Sequence, residues 1–296
     1  MNAPGRRPLP LVALSGTELT HGEPLDLLLD TALVLGADAV ELWYPVNLAR
    51  GDRAAADSPS ARGLPVVGIG SPTELGTPEL ADRDRRTLTE AVRLAAECGI
   101  PWVNTYFGYP AGTDDRQNAD DYARALEPVL ALAEERGVGI TLENEFDCFG
   151  TDHRGVDLTR RPAAVARLVE VIGSPRFKLT FDACNALFAG LDPLAYLDQL
   201  GEHIVHVHVK DGRRGPRASD APDGWRTFHD RGVPCHTAPL GQGDVPWPAI
   251  VEALSAGGYT GAYSLEPHGD PQTRTEAWRQ GLSTLRALLD VPVPEV

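Results

Sequence analysis

IVHVHVKDG, residues 204–212, is the stretch whose reading decides the architecture. Val205, Val207 and Val209 alternate with His206, His208 and Lys210, so a strand puts valines on one face and two imidazoles and an ammonium on the other. The valine face needs a cover of helices, and the polar face ends in Asp211 and Gly212. A strand that is apolar outside and polar inside suits the wall of a parallel β/α barrel, with its chemistry at the C-terminal rim.

Three other runs repeat the arrangement. In GITLENEF (139–146), Thr141, Glu143 and Glu145 oppose Ile140 and Leu142. In FKLTFD (177–182), Lys178, Thr180 and Asp182 oppose Phe177, Leu179 and Phe181. In GAYSLE (261–266), Ala262, Ser264 and Glu266 oppose Tyr263 and Leu265. Each run carries a metal-ligating residue at its downstream end on the small or polar face. Glu143, Asp182, His208 and Glu266 are therefore expected to converge above one barrel. A lone Glu, Asp or His at a strand end is usually a rim charge or a hydrogen-bonded core residue; four of one parity make a site.

The rest of the chain supplies the remaining strands and helices. PLVAL (10–14), AVELWY (39–44, with Glu41 and Trp43 on one face), PVVGIG (65–70) and PWVNTYF (101–107) read as strands. Helices are expected from Pro24 to a stop at Gly36, over 87–97 with Gly99 as the stop, and from an Asn118 cap to Gly137 with a kink at Pro128. Further helices fall at 161–172, 192–200, 247–256 and 273–289. Residues 47–63 read as a short helix or a rim loop, and 213–239 as a long, functional loop. Eight strands alternating with helices, without an internal linker, predict one (β/α)₈ TIM-barrel domain over residues 1–296.

The bulk properties narrow the function. A net charge of −15, with 42 acidic against 27 basic side chains, argues against a nucleic-acid partner, which needs a concentrated cationic surface. No apolar run is long enough to span a membrane, and the proline-broken N-terminus is a poor signal peptide, so a cytoplasmic protein is expected. Cys98, Cys148, Cys184 and Cys235 include no CxxC pair and read as reduced thiols.

Three carboxylates and one imidazole form an oxygen-rich set suited to one divalent ion, Mn²⁺ first, with Mg²⁺ or Co²⁺ as alternatives. His206, one layer deeper than His208, is expected to orient a ligand from behind. Glu145 either contacts substrate or is solvated. Lys210 is expected to pair with Asp211, or to reach a substrate oxygen.

With these residues named, the chain resembles the sugar phosphate isomerase/epimerase family, the xylose isomerase-like TIM barrels. LENE (142–145), LTFDACN (179–185), HVHVKDG (206–212), PLGQGDVPW (239–247) and SLEPH (264–268) carry the resemblance, which runs over nearly the whole chain. It implies that Glu143, Asp182, His208 and Glu266 bind one metal and that Glu143 and Glu266 exchange protons with substrate. Asn185 stands where the ketose 3-epimerase branch often has a sugar-contacting histidine, and Glu145 where a histidine often follows the first ligand. Arg214 falls roughly at that branch's substrate-binding arginine.

The expected chemistry is epimerisation or isomerisation of a ketose or related polyol through a metal-stabilised enediolate. The alternative is a lyase on the same scaffold, dehydrating an inosose or eliminating from a 3-keto-glycoside. An abasic-site endonuclease and a non-catalytic sugar-binding barrel are the remaining readings. The substrate is expected to be a small sugar or polyol, and a homo-oligomer is compatible with the resemblance.

Overall fold

The computed structural model describes residues 10–20, 22–48, 53–147, 155–216 and 221–289. The first seven strands are β1 (Val12–Ser15), β2 (Ala39–Trp43), β3 (Val66–Glu74), β4 (Trp102–Tyr106), β5 (Gly139–Glu143), β6 (Phe177–Asp182) and β7 (Ile204–Val209). They are followed by β8 (Asp211–Arg214), β9 (Thr227–Asp230), β10 (Val233–Ala238) and β11 (Ala262–Leu265). Strands β1 to β7 and β11 close a parallel barrel in the order β1-β11-β7-β6-β5-β4-β3-β2. This is the TIM barrel that the alternation at 204–209 predicts.

The helices are α1 (Leu25–Leu35), α2 (Arg53–Ala61), α3 (Ala81–Cys98), α4 (Asp115–Arg136), α5 (Pro162–Ile172), α6 (Ala183–Phe188), α7 (Pro193–Leu200), α8 (Trp247–Ala256) and α9 (Arg274–Leu289). Helices α1, α3 and α4 end on Gly36, Gly99 and Gly137, each in the left-handed conformation that glycine adopts without a Cβ clash. Among the described residues no helix is long and apolar enough to cross a membrane.

The two faces of the wall differ in chemistry. Leu14, Leu42, Ile140, Leu142, Leu179, Phe181, Val207, Val209 and Leu265 point outward into the main core beneath the helices. Burying side chains of this size contributes roughly 1.5–3 kcal/mol each. Inside, Ala13, Ala39 and Val67 pack with Ala262 as a small apolar plug. Two residues further along these strands the interior turns polar, with Ser15 beside Glu41 and Ser264 beside His208.

The structure corrects three expectations. Asp114, not Asn118, caps α4: its carboxylate accepts the Arg116 and Gln117 amides, while Asn118 turns inward and donates to the Gly112 carbonyl. Helix α4 runs through Pro128 to its stop at Gly137, as expected. Helix α3 starts at Ala81, before the expected residue 87, and Asp84, buried in its first turn, accepts the Glu74 amide.

Third, the segment read as a long loop contains an antiparallel sheet, β8-β10-β9. Strands β9 and β10 are joined through Arg231 and Gly232, both with positive φ, as a two-residue hairpin of the primed type requires. Pro234 within β10 hid this hairpin, since proline argues against a strand. Helix α2 supplies the helical alternative for the 47–63 segment over the residues described. The first nine residues and Cys148 lie outside the described residues. Cys98, Cys184 and Cys235 are free thiols.

Candidate metal centre

Glu143 ends β5, Asp182 ends β6, His208 lies near the end of β7 and Glu266 follows β11 directly. Parallel pairing puts Asp182 opposite His208, and His208 opposite Ser264 two residues before Glu266. One ligating atom from each of the four side chains lies within 4.8 Å of the others, and all four residues are buried. His208 Nδ1 is 2.9 Å from Glu143 Oε1 and 3.6 Å from Glu266 Oε2.

Neighbouring hydrogen bonds aim each carboxylate. A directional chain runs from the Thr180 hydroxyl to Thr141 at 2.8 Å and on to Asn104 Oδ1 at 3.1 Å. Asn104 Nδ2 then donates to Glu143 Oε2 at 2.7 Å. Across the barrel, the Thr17 hydroxyl donates to Glu266 Oε1 at 2.9 Å. Asp182 Oδ1 accepts the Asn185 amide at the start of α6, while Asn144 pairs with the Asp182 backbone through both its amide oxygen and its amide nitrogen.

Lys210 Nζ stands 2.7 Å from Asp182 Oδ2 and 3.6 Å from Glu266 Oε2. The expected Lys210–Asp211 pair is therefore replaced. Adjacent strand residues point to opposite faces, and Asp211 instead accepts the backbone amides of Gly212, Gly241, Gly243 and Val245.

Burial and mutual repulsion shape the protonation of the group. Burial raises the Glu143 carboxyl above its ordinary range, with His208 opposing it. Burial would also raise Glu266, but the charges of His208, Lys210 and His268 outweigh it and hold that carboxyl below its ordinary value. Burial and the nearby Glu143 charge push Glu145 well up. Burial works against a charged His208, yet Glu143, Glu266 and Glu41 overcome it and raise the imidazole well above its usual value.

The donor set fits a divalent cation. Asn185 Oδ1, buried beside these carboxylates, lacks a hydrogen-bond partner, whereas Asp182 Oδ2 is met by the Lys210 ammonium at 2.7 Å. Buried polar oxygens without partners are costly, and a cation satisfies them. Three carboxylates with one imidazole suit a hard or borderline ion and contain no thiolate.

The other residues chosen from sequence fall at differing distances from this group. Asn185 donates to the Asn144 carbonyl at 3.0 Å and toward Glu143 Oε1 at 3.4 Å, so it belongs to the cluster. Glu145 follows Glu143 on the chain and is half-buried, with its amide donating to Thr159. Arg214 lies on β8, its guanidinium held by the Phe188 carbonyl at 2.9 Å and Asp230 at 3.3 Å, away from the four ligating side chains. His206 Nε2 lies 3.4 Å from Glu41 Oε1.

Sequence reasoning missed two residues. Glu41, buried on β2, lies 3.1 Å from His208 Nε2. Its parity with Trp43 was visible, but a single acid on one strand is ordinarily a rim charge. His268 lies in the SLEPH run, which carries no sequence signal of its role. It has a φ of 51°, its backbone amide and Nδ1 both meet Glu18 Oε1, and its Nε2 is 3.9 Å from Glu266 Oε2. A positive φ on a non-glycine residue leaves no mark in a sequence.

Fold and site together define a parallel β/α barrel with a buried carboxylate–imidazole cluster at its C-terminal rim. The chain belongs to the xylose isomerase-like TIM-barrel family, whose profile matches residues 29–288. It is 33% identical over 150 residues to the rhizopine catabolism protein MocC of Rhizobium meliloti, covering 51% of this chain and 43% of that protein. It is 29% identical over 126 residues to the 2-epi-5-epi-valiolone 7-phosphate 2-epimerase of an Actinoplanes species, covering 42% of each. The chain thus matches less than half the length of either relative. A xylose isomerase domain protein from Planctomyces limnophilus superposes with a TM-score of 0.75 at 19% identity, over 95% of this chain and 98% of that one.

Proposed function

We propose that this chain is a divalent-metal-dependent epimerase or isomerase of a ketose or related polyol, with Glu143 and Glu266 as its acid–base pair. One observation carries the reading: two buried carboxylates, from strands separated by β6 and β7 in the barrel, flank His208 Nδ1 at 2.9 and 3.6 Å. Moving a proton beside a carbonyl requires an acceptor and a donor fixed around the same small space. The kinship to a named epimerase supports the reaction class.

Glu143, Asp182, His208 and Glu266 would hold the cation, Mn²⁺ by preference, which supplies Lewis-acid polarisation of a carbonyl and its neighbouring hydroxyl. Asn104 occupies Glu143 Oε2 and Thr17 occupies Glu266 Oε1, so each carboxylate is turned by a fixed hydrogen bond toward the shared space. In the metal-free site burial raises Glu143 while His208, Lys210 and His268 lower Glu266, and on that ground we assign Glu143 as the proton acceptor. Glu266 returns a proton from the other side. In this reading Lys210, buried against the cluster, would donate to a substrate oxygen and Asn185 Oδ1 would accept from a substrate hydroxyl, with Glu145 and Arg214 as further substrate contacts.

The test is incubation of Mn²⁺-loaded protein with ketoses, inososes and 3-keto-glycosides in D₂O, followed by chelation and NMR. Deuterium at a carbon beside the carbonyl, with a rearranged product of unchanged mass apart from the label, supports the assignment. Loss of water or aglycone would replace it with the lyase. Full exchange by Glu266→Gln would remove Glu266 from the pair.

A further inference from the structure

The two nitrogens of His208 face different neighbours. Nδ1 looks toward Glu143 and Glu266, at 2.9 and 3.6 Å, whereas Nε2 lies 3.1 Å from Glu41 Oε1 on the opposite edge of the ring. A neutral imidazole offers one lone pair and one N–H. If it is to ligate alongside Glu143, Asp182 and Glu266, the lone pair must be on Nδ1 and the proton on Nε2, where a carboxylate oxygen waits to accept it.

We propose that Glu41 is a positioning residue for the metal centre: it fixes the tautomer and ring angle of His208 and so presents Nδ1 to the cation. This rests on the assignment of Glu143, Asp182, His208 and Glu266 as the metal's holders. A carboxylate behind a ligating imidazole raises its basicity and locks its orientation.

The surroundings of Glu41 support the role. It is 1% exposed in the polar layer of the barrel, so its charge has no solvent to turn toward. His206 Nε2 stands 3.4 Å from the same Oε1 atom. The His206 and His208 rings meet edge to face, 5.1 Å apart at 88°, which constrains the plane of His208 from a second direction. The order of action is His206 on Glu41, and Glu41 on His208.

Glu41, His206 and His208 also bring ligating atoms within 4.8 Å of one another, so they pose the rival of a second, deeper ion. His208 cannot give lone pairs from both nitrogens while neutral. The upper group has three carboxylates against one in the lower, and draws the divalent ion first.

The test uses the full chain with Glu41→Gln and Glu41→Ala, titrated with Mn²⁺ against a competing chelator and counted for bound metal. Glu41→Ala should weaken Mn²⁺ binding by about 10- to 100-fold, with metal-free circular dichroism unchanged. Glu41→Gln, whose amide oxygen still accepts a hydrogen bond, should recover most of that loss. In Zn²⁺-loaded wild-type protein, ¹⁵N NMR of the His208 ring should show metal on Nδ1 and a hydrogen-bonded proton on Nε2. Wild-type affinity in both variants, metal on Nε2, or two ions in the wild type with one lost from Glu41→Gln would each overturn the proposal. Should Glu41→Ala fail to fold, the wild-type NMR still decides. Metal bound with no exchange on any substrate would sink the enzymatic reading and leave this one standing, whereas a Glu143→Gln, Asp182→Asn double variant that binds Mn²⁺ normally would remove the metal assignment itself.

Discussion

Lys210 Nζ lies 2.7 Å from Asp182 Oδ2, which sets a resident positive charge against one of the four side chains proposed to hold a cation. Lys210 is buried, so the attraction is felt at an effective dielectric well below that of water. A divalent ion sharing that carboxylate competes with the ammonium. Lys210→Met should therefore bind Mn²⁺ roughly tenfold more tightly, a gain of about 1.4 kcal/mol, by chelator competition. The same variant should lose stability when metal-free, because Asp182 and Glu266 are left facing each other, and should regain it on loading. Weaker metal binding would show that the lysine supports the ligand set instead of opposing it.

Metal affinity should rise with pH. Glu143, Glu266 and Glu41 hold the metal-free His208 imidazole protonated above its usual range, and ligation needs its neutral form. Each unit of pH below the raised value therefore costs up to about tenfold in apparent affinity, and the dependence flattens above it. Calorimetric titration in buffers of differing ionisation enthalpy should detect protons released on binding. No release at neutral pH would contradict a protonated His208 in the metal-free site.

A different ion pair ties the ends of the barrel together. The Arg274 guanidinium, nearly buried at the start of α9, donates to both oxygens of Glu23 and to the Glu18 carbonyl. The hydrogen bond from Arg274, opposed by partial burial, holds the Glu23 carboxyl at about 2. A lowered folded value means this stabilisation is present above the ordinary 4.5 and is lost as pH falls toward 2. Glu23→Ala should cost about 1–3 kcal/mol at neutral pH, because it leaves a buried charge with fewer partners. The wild-type and variant denaturation midpoints should converge near pH 2.

His268 offers a test on backbone conformation alone. Its φ of 51° lies in the left-handed region, where a Cβ is penalised by about 1–2 kcal/mol. Both His268→Gly and His268→Ala lose the bond to Glu18 from the ring, but only alanine keeps the penalty. Urea unfolding should find the glycine variant more stable by roughly 1 kcal/mol, reversing the usual order. Equal midpoints would mean that the backbone relaxes when the imidazole leaves.

What the sequence revealed and what it hid follow from the range of each signal. Strand parity is local, so IVHVHV and the three related runs identified the wall and chose Glu143, Asp182, His208 and Glu266, which the fold brings together. Glu41 needs a partner 167 residues away to be noticed, and nothing beside it on β2 announces one. The β9–β10 hairpin was concealed by Pro234, whose missing amide is tolerated in that small sheet. The Lys210–Asp211 expectation failed because neighbours in an extended chain diverge. Alternation showed that for the valines, and the same rule applies one residue further on.

Asp211 has a consequence for how this protein can change. Its two oxygens gather the amides of Gly212, Gly241, Gly243 and Val245, so the chain that leaves the barrel after β7 is brought back to within a few ångströms of its departure point. Everything between, including the β8-β10-β9 sheet, is a detour whose two ends are clasped by one carboxylate. A detour closed in this way can be lengthened, shortened or replaced while His208 stays where it is. The barrel then keeps its buried cluster constant, and the clasped segment is where the chain is free to vary.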